Sequence, residues 1–327
     1  MGTVRINCKT NEEWRKERAN SIGASAVGVL FGESHWDTPM TLAEKMRKEL
    51  AGEFNYDETY PMELGHALEP GVASLFQKRT GLNVIKASSC EYLVRREDAP
   101  FMHCSPDRTY WIDSNGCKHG KNAEANKGIL ECKTITSLNP LEEVPLSWEF
   151  QLQVQLGICG CKEGYLAWLC LGCGKKEGFG YRRYEFDPEL FKAAVEVCRD
   201  FWTRCVVGGE TPEPVNAADV ARRFPNHVAG KTITASQEIE EAIQDLRNLK
   251  QTEKDLKNEI EEVTDKIKMA FTDEEAIIDP ATGGVLATYK ASSPRVTIDS
   301  KKLKEEYPEA YDRCSKVGSS SRTLLIK

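Results

Sequence analysis

Residues 128–134, Gly128-Ile129-Leu130-Glu131-Cys132-Lys133-Thr134, are the stretch on which the interpretation of this chain depends. Ile129 and Leu130 favour a β-strand, and a strand sends alternate side chains to the same face. Glu131 and Lys133 are therefore predicted to point one way, with Cys132 turned to the other face. A carboxylate and an ammonium group in this spacing can hold a metal ion beside a water, provided that a neighbouring strand supplies a second carboxylate.

The second carboxylate is predicted to come from Ser105-Pro106-Asp107, upstream in the chain. Residues 101–112 have the composition of a strand, and residues 113–116 (Asp-Ser-Asn-Gly) are typical of a turn. A hairpin then returns the chain to the strand of Glu131. The sequence therefore predicts that Asp107 and Glu131 lie side by side on adjacent strands.

Length and composition describe an ordinary globular protein that can hold a core domain with an appendage. The chain has 327 residues, of which 40% are hydrophobic and 29% are charged. The polar N-terminus has no apolar segment typical of a signal peptide, and the longest apolar run, at 165–171, is too short to span a bilayer. We therefore expect a cytoplasmic protein. The net charge of −7 argues against a coat of basic charge but allows a local positive cleft.

Twelve cysteines in a chain of this length, without an export signal, are expected to be reduced thiols. Four of them form a cluster in the sequence: Cys159, Cys161, Cys170 and Cys173. The cluster could bind zinc or an iron–sulfur centre, but the spacing between its two pairs is unusual for a metal site. Small buried hydrophobic residues are the favoured interpretation, and the metal alternative stays open.

The order of predicted elements indicates an α+β (α/β-like) core built around a central mixed β-sheet flanked by helices. An amphipathic helix at 62–80 precedes strands at 83–95 and 101–112 and the strand of Glu131. A helix at 148–157, strands at 165–171 and 181–186, and a helix at 188–207 follow.

The composition changes after residue 207 and divides the chain into four predicted regions. These are a core at 1–215, a linker at 216–234, a long heptad-patterned helix at 235–272, and a small C-terminal α/β unit at 273–327 that ends in a strand from Arg322. The long helix is predicted to form a coiled coil or an antiparallel arm. Whether it pairs with another chain or folds back on its own chain stays open.

Three further residues belong to candidate sites. Glu69 follows Gly65 by four residues, so the two share one helical face, where glycine allows another backbone or a DNA strand to come close. Arg18 and Ser25 lie near a predicted helix start, whose free backbone N–H groups accept phosphate readily. A surface charge and a helix cap are the plain alternatives for these two residues.

Together these motifs resemble the YqaJ-type viral recombinases, which are relatives of lambda exonuclease within the PD-(D/E)XK nuclease superfamily. The matching motifs stand in the family's order: Trp14/Arg18/Ser25, Gly65/Glu69, Ser105/Asp107, Glu131/Lys133 and Gln153/Gln155. The resemblance covers about residues 10–207 and implies a restriction-endonuclease-like nuclease core. The C-terminal unit is similar to the tails of YqaJ-type members.

The resemblance implies a catalytic set made of Glu69, Asp107, Glu131 and Lys133. Asp107, Glu131 and the backbone carbonyl of Cys132 would be hard oxygen ligands for Mg²⁺, with Mn²⁺ as an alternative. Glu69 would complete the ligand shell toward a second ion, giving two ions per site.

The resemblance also implies a pocket for a 5′-terminal phosphate formed by Arg18, Ser25, Ser105 and Gln153, with Gln155 as a further DNA contact. His66 stands in the glutamate motif and is interpreted as a cleft-lining or phosphate-contacting residue, with a plain position on the helix surface as the alternative. Such an enzyme degrades one strand of double-stranded DNA from 5′ to 3′ and leaves 3′ overhangs for phage-type recombination by strand annealing. Family members form rings, trimeric in the lambda-type enzymes, and work beside a single-strand annealing protein. The expected setting is a bacterial cell, with the protein encoded by a phage or prophage.

Two alternatives stay open at this point. One is another nuclease of the same superfamily, either an endonuclease or a helicase-associated nuclease with an iron–sulfur cluster. The other is a catalytically silent DNA-binding or scaffold protein that acts through its coiled coil. The complete acidic set together with Lys133 argues against the silent protein.

Overall fold

The computed structural model describes residues 2–54, 59–86, 91–112, 118–119, 126–316 and 322–326. The chain divides into two compact units, Met1–Val220 and Ala221–Lys327. The predicted turn at 113–116 lies outside the described residues.

The first unit contains nine strands and most of the helices among its described residues. The strands are β1 Thr3–Asn7, β2 Ile22–Gly23, β3 Tyr92–Arg96, β4 Ala99–Cys104, β5 Arg108–Ile112, β6 Lys118–His119, β7 Asn126–Thr136, β8 Glu163–Leu171 and β9 Phe179–Glu185. The helices are α1 Asn11–Ala19, α2 Val27–Leu30, α3 Pro39–Leu50, α4 Tyr60–Thr80, α5 Leu146–Cys159, α6 Pro188–Asp200 and α7 Ala217–Arg223. A 3₁₀ turn, Ala24–Ala26, precedes α2, and a π-helical segment, Phe201–Val207, continues α6.

A five-stranded mixed sheet organises this unit, in the order β6-β5-β7-β8-β9. Strands β7 and β8 are parallel, and the other neighbours pair antiparallel. Arg108 pairs with Leu130, which brings the end of β5 next to Glu131. The predicted fold class, an α+β protein with a mixed sheet flanked by helices, is confirmed.

The prediction of one continuous strand at 101–112 is wrong. Residues 99–104 belong to a four-stranded sheet in the order β1-β3-β4-β2, whereas residues 108–112 belong to the five-stranded sheet. The break falls at Ser105-Pro106-Asp107, where proline has no N–H group for a strand ladder. Ser105 Oγ donates to Tyr92 O at 2.7 Å, and Tyr92 Oη donates to Pro106 O at 2.7 Å. These two hydrogen bonds fix the segment between β4 and β5 against β3.

Two helices cover the five-stranded sheet. Val72 and Phe76, four apart on α4, pack with Leu130 in one apolar cluster. Leu152 and Leu156, four apart on α5, pack with Ile129 in another. Because neighbouring residues of β7 belong to different clusters, the alternation of the strand sets which side chains meet α4 and which meet α5.

Helix α5 is buried along most of its length because its other side also packs on a core. Val154 and Ile158 join the largest cluster, which lies among β3, β4, α2, α3 and α6. Gln153 and Gln155 are consequently buried, at 6% and 1% exposure. Buried amides require hydrogen-bond partners, and the partner of Gln155, Glu131, links α5 to the candidate site.

The second unit begins with the predicted long helix, observed as α8 Gln237–Lys268. A two-stranded antiparallel pair, β10 Ala276–Ile278 and β11 Val285–Thr288, and two short helices, α9 Ser300–Glu306 and α10 Pro308–Cys314, follow it. The strand predicted from Arg322 is not found in residues 322–326. The boundaries of the four regions stay a prediction. Among the described helices, none combines the length and the apolar character needed to cross a bilayer.

Candidate active site

An acidic cavity of about 250 Å³ lies between α4, the segment just before β5, and residues 131–134 of β7. It is lined by all four residues of the predicted catalytic set, together with His66 and Cys132. These residues are up to 67 positions apart in the sequence, from His66 to Lys133, and the fold brings them to one place. We call this cavity the acidic cavity.

Glu131 is the most deeply buried carboxylate of the acidic cavity, at 4% exposure. One of its oxygens accepts hydrogen bonds from Lys133 Nζ at 2.8 Å and from Gln151 Nε2 at 2.5 Å. The other accepts from Gln155 Nε2 at 2.8 Å. The partners Gln151 and Gln155 are four apart on α5, so they lie on the same helical face. That face meets the side of β7 to which Glu131 and Lys133 both point.

Lys133 is held by two groups at once. Its ammonium donates to Glu131 and, at 2.7 Å, to Gln151 Oε1. Glu131, Lys133 and Gln151 therefore form a closed triangle of hydrogen bonds. A lysine fixed in this way has a defined position relative to the carboxylates, which a mobile surface lysine lacks.

Asp107 occupies the break between β4 and β5. One carboxylate oxygen accepts from the backbone N–H of Cys132 at 2.8 Å, which ties Asp107 to the strand of Glu131. Burial raises the pKa of the Asp107 carboxyl well above its usual range, and the negative charges of Glu131 and Glu69 raise it further. The three carboxylates line the same cavity, so their negative charges oppose one another.

Glu69 reaches the acidic cavity from α4, where it forms an ion pair with Arg108. Arg108 is 8% exposed and also donates to the backbone oxygen of Asp107 at 2.8 Å. Its guanidinium balances part of the negative charge of the site.

The donor set of the acidic cavity fits a hard divalent cation. Asp107, Glu131 and Glu69 offer carboxylate oxygens, which Mg²⁺ and Mn²⁺ prefer. Among the residues that the structure describes, no three histidine, cysteine or acidic side chains converge in a ready-made metal cluster. The reason is visible in the contacts, since Glu69 is paired with Arg108, and Glu131 with Lys133 and two amides. A bound cation would have to take over at least the place of Arg108.

A second cavity, of about 240 Å³, contains two of the residues predicted to bind a 5′ phosphate. Arg18 and Ser25 both line it, and the Arg18 guanidinium lies 4.5 Å from the centre of the Trp14 ring. We call it the Arg18 cavity. Ser25 sits in the 3₁₀ turn Ala24–Ala26 instead of at the start of a long helix.

His103 forms the buried wall of the Arg18 cavity. It is 4% exposed, and its Nδ1 lies 2.9 Å from Ser21 Oγ, which also accepts from Arg95 Nε at 3.1 Å. Burial lowers the pKa of His103 from its usual 6.5 to about 3, and the positive charges of Arg18 and Arg95 add to the effect. His103 is therefore neutral at physiological pH.

The other two residues predicted for the phosphate pocket lie elsewhere. Ser105 donates to the backbone of β3, as described above. Gln153 donates to Glu185 O at 2.8 Å and accepts from the N–H of Asp187 at 2.8 Å, so it fastens α5 to the start of α6. Neither residue lines the Arg18 cavity. Gln155, predicted as a DNA contact, instead binds Glu131, while His66 lines the acidic cavity.

Sequence reasoning did not assign Gln151, Arg108 or His103 to a site. Gln151 carried a usable signal, since it stands four residues before Gln155 on a predicted helix. Arg108 and His103 flank the Ser-Pro-Asp motif, but their partners are Glu69 of α4 and Ser21, and only the folded chain brings these together.

The cysteines do not form a metal site among the described residues. None of the described cysteines is in a disulfide, and Cys161, Cys170 and Cys173 are buried. Cys159 Sγ lies 3.7 Å from Cys104 Sγ, outside the predicted set of four. These contacts favour the interpretation of small buried hydrophobic residues.

The fold and the acidic cavity define an α+β protein with three carboxylates and a lysine beside β7, the central strand of a mixed sheet. Residues 13–162 match the family model of the YqaJ-like viral recombinase domain. The protein YqaJ of Bacillus subtilis (strain 168), described as uncharacterized, is 29% identical over 325 residues, covering 94% of this chain and 91% of YqaJ.

Solved exonuclease structures show a more distant similarity. An alkaline exonuclease from Laribacter hongkongensis is 16% identical, with a TM-score of 0.45 over 61% of this chain and 94% of that one. A phage-related exonuclease from Haemophilus somnus 129PT is 14% identical, with a TM-score of 0.41 over 58% of this chain and 96% of that one.

Proposed function

We propose that this protein is a metal-dependent deoxyribonuclease that degrades one strand of double-stranded DNA from its 5′ ends and leaves 3′ single-stranded overhangs. The observation that carries the proposal is the acidic cavity, where Glu69, Asp107 and Glu131 surround one cleft with Lys133 fixed beside them. Overhangs of this kind are substrates for recombination by strand annealing, which agrees with a viral recombinase domain.

The proposed metal ligands are the carboxylates of Asp107 and Glu131 and the backbone carbonyl of Cys132, with Glu69 directed to a second ion. Mg²⁺ or Mn²⁺ bound there would lower the pKa of a water and neutralise charge on the scissile phosphate. The ion pair of Glu69 with Arg108 opens in this proposal, and Arg108 becomes available to the phosphate of the substrate.

Lys133 is proposed to orient the attacking water and to bind the scissile phosphate. Its ammonium is held by Glu131 and Gln151, so its position does not depend on the substrate. A lysine in this position can orient the attacking water and stabilise negative charge that develops on the phosphate oxygens.

The proposed polarity rests on the Arg18 cavity. Arg18 and Ser25 supply a guanidinium and a hydroxyl, which suit a terminal phosphate monoester. Neutral His103 and buried Ser21 add polar groups to the same wall. The phosphate pocket proposed here therefore consists of Arg18 and Ser25, without Ser105 and Gln153.

The remaining family properties are proposals for this chain as well. They are action on DNA ends as part of a ring, cooperation with a single-strand annealing protein, and residence in the bacterial cytoplasm.

A digestion of linear duplex DNA with strand-specific end labels tests the function. Duplexes with 5′-phosphate or 5′-hydroxyl ends are incubated with Mg²⁺, and closed circular DNA serves as a substrate that an exonuclease cannot start on. We expect loss of the 5′-labelled nucleotides first, faster digestion of the phosphorylated end, and intact circles. Cutting of the circles would contradict an exonuclease. Earlier loss of the 3′ label would contradict the proposed polarity.

Variants separate the nuclease from a DNA-binding protein without activity. Asp107→Asn and Lys133→Ala are expected to lower hydrolysis by orders of magnitude while DNA binding persists. Lys192→Ala changes an exposed lysine on α6 and serves as the matched control. Hydrolysis that is equal in all three variants would show that the acidic cavity is not the active site.

A further inference from the structure

Helix α8 carries an apolar stripe that repeats every seven residues, which is the period of a coiled coil. The a positions are Ile239, Leu246, Glu253, Ile260 and Ile267, and the d positions are Ala242, Leu249, Leu256, Val263 and Ala270. Six of these side chains are between 45% and 66% exposed: Ile239, Leu249, Leu256, Ile260, Val263 and Ile267. The described part of the chain therefore leaves most of the stripe uncovered.

The opposite face of α8 is polar and follows the same period. Hydrogen bonds between f and c positions repeat along it: Gln237 to Glu241 at 2.9 Å, Gln244 to Asn248 at 3.0 Å, and Gln251 to Asp255 at 2.8 Å. These pairs stabilise the helix on the side that water covers. One face is thus built for solvent, and the other for contact with a second helix.

We propose that α8 pairs with α8 of a second copy of this chain as a parallel, in-register, two-stranded coiled coil. The helix has 32 residues, so it is about 48 Å long and spans more than four heptads. Isoleucine predominates at a and leucine is frequent at d, the combination that favours two parallel strands. Ala242 at the N-terminal end of the d series lets the two helices approach closely, whereas Ala270 lies two residues beyond the end of α8.

The charges beside the stripe fit the parallel arrangement. In that register each g position faces the next e position of the other helix, so Asp245 faces Lys250 of the second copy. Thr252 faces Lys257 and Glu259 faces Thr264, so no g–e pair joins like charges. A fully overlapping antiparallel pair would instead place Lys250 against Lys257 of the second copy twice, both times along the flank where e positions face each other. Repulsion between these lysines argues against it.

Glu253 is the charged residue at the centre of the a series. Its carboxylate lies 2.6 Å from Lys257 Nζ of the same helix, which balances its charge. A polar residue at an a position lowers the stability of a coiled coil while helping to define its register. The pairing is therefore expected to depend on protein concentration, and it does not rest on the proposed nuclease activity.

Sedimentation of the full chain over a range of concentrations tests the pairing. Leu249→Gln combined with Leu256→Gln is expected to halve the mass of the wild-type assembly, because both side chains belong to the stripe. Gln244→Ala, at an f position, should leave the mass unchanged. Glu253→Leu should produce an assembly of the wild-type mass at lower protein concentrations. A variant that fails to fold would not form an assembly of this defined mass. Equal masses for the wild type and the double variant would overturn the proposal.

Charge reversal tests the direction of the helices. Lys250→Glu places two acids together in the parallel register and is expected to raise the dissociation constant roughly fivefold. Adding Asp245→Lys should restore the wild-type value. In an antiparallel pair Lys250→Glu would remove the lysine repulsion and tighten the assembly, and that result would overturn the parallel register.

Discussion

Gln151 accepts a hydrogen bond from the ammonium of Lys133 at 2.7 Å and at the same time donates to the carboxylate that Lys133 contacts. The amide therefore connects Lys133, which is proposed to orient the attacking water, to the proposed metal ligand Glu131. Because Gln151 is half-buried and comes from α5, it fixes both groups from outside the strand that carries them. We infer that it is a positioning residue for the acidic cavity.

Replacing Gln151 with leucine is expected to lower the single-turnover rate of DNA hydrolysis by roughly 10- to 100-fold, a typical cost of losing a group that orients a metal ligand. The direct contact of Lys133 with Glu131 remains, so the free energy of unfolding should change little. Rates are measured at saturating DNA to separate turnover from binding. A Gln151→Leu variant with the wild-type rate would show that Lys133 needs no such support.

Gln153, two residues further along α5, is expected to behave differently. Gln153→Leu removes the partners of Glu185 O and of the Asp187 N–H, which should lower the free energy of unfolding by about 1–3 kcal/mol in urea denaturation. The preference for 5′-phosphorylated ends should persist in this variant and disappear in Arg18→Ala. Loss of the phosphate preference without loss of stability would instead support the role that the family resemblance assigns to Gln153.

Gly65 faces the acidic cavity from α4, and the protein itself leaves room for a side chain there. A Cβ at this position would lie 3.7 Å from Thr134 Oγ1, an ordinary contact. Gly65→Ala should therefore raise the free energy of unfolding by up to about 1 kcal/mol through helix propensity. Digestion of DNA should slow, because the methyl group enters the space proposed for the substrate.

Gly71→Ala in the same helix is the matched control for Gly65→Ala. A Cβ at Gly71 meets nothing within 4 Å, and this residue does not line the acidic cavity. Gly71→Ala should raise the free energy of unfolding by the same amount as Gly65→Ala and should leave the rate of DNA digestion unchanged. Equal digestion rates for both alanine variants would exclude a close approach of DNA to Gly65.

The buried histidine of the Arg18 cavity predicts a dependence of stability on pH. His103 has a pKa of about 3 in the folded protein and about 6.5 when unfolded, so the unfolded chain binds the additional proton between these values. Stability is therefore lost as the pH falls below 6.5. From pH 7 to pH 5 the loss from this residue is about 2 kcal/mol.

Urea denaturation of the wild type and of His103→Gln at both pH values measures this contribution. Glutamine can still bond to Ser21 but does not titrate, so the variant should lose about 2 kcal/mol less than the wild type over the same interval. An identical loss in the two proteins would show that His103 is already accessible to protons in the folded state.

The local part of the acidic cavity could be predicted from the sequence. Glu131 and Lys133 share a face because a strand alternates, and a hairpin brings Asp107 next to them. The period of an α-helix places Gln151 and Gln155, four residues apart, on one side of α5, and Gln153, two residues from each, on another side. The two glutamines therefore do not form one binding motif: Gln155 binds Glu131, whereas Gln153 binds Glu185 O and the Asp187 N–H.

The rest depended on contacts between distant segments. The Arg108 guanidinium contacts Glu69 only because α4 packs across the sheet. The apolar periodicity of a helix predicts which of its faces is buried, but it does not predict where along the sheet the helix packs. His103 is buried because β4 pairs in parallel with β2, eighty residues earlier, and no local pattern encodes that pairing. The break at Pro106 was visible in the sequence, since proline interrupts a strand ladder, yet alternation on both sides of it suggested one strand.

Divalent cations are expected to stabilise the folded protein through the acidic cavity. Repulsion among Asp107, Glu131 and Glu69 would be relieved by a bound cation, and Mn²⁺ at 100 times its dissociation constant would add about 2.7 kcal/mol to the free energy of unfolding. Thermal unfolding with and without Mn²⁺, reversed by a chelator, measures the effect. Asp107→Asn should lose the response, whereas Asp200→Asn, which removes an acid from an exposed ion pair with Arg204, should keep it. A Mn²⁺ response of equal size in Asp107→Asn would locate the cation outside the acidic cavity, and the proposed ligand set would then be wrong.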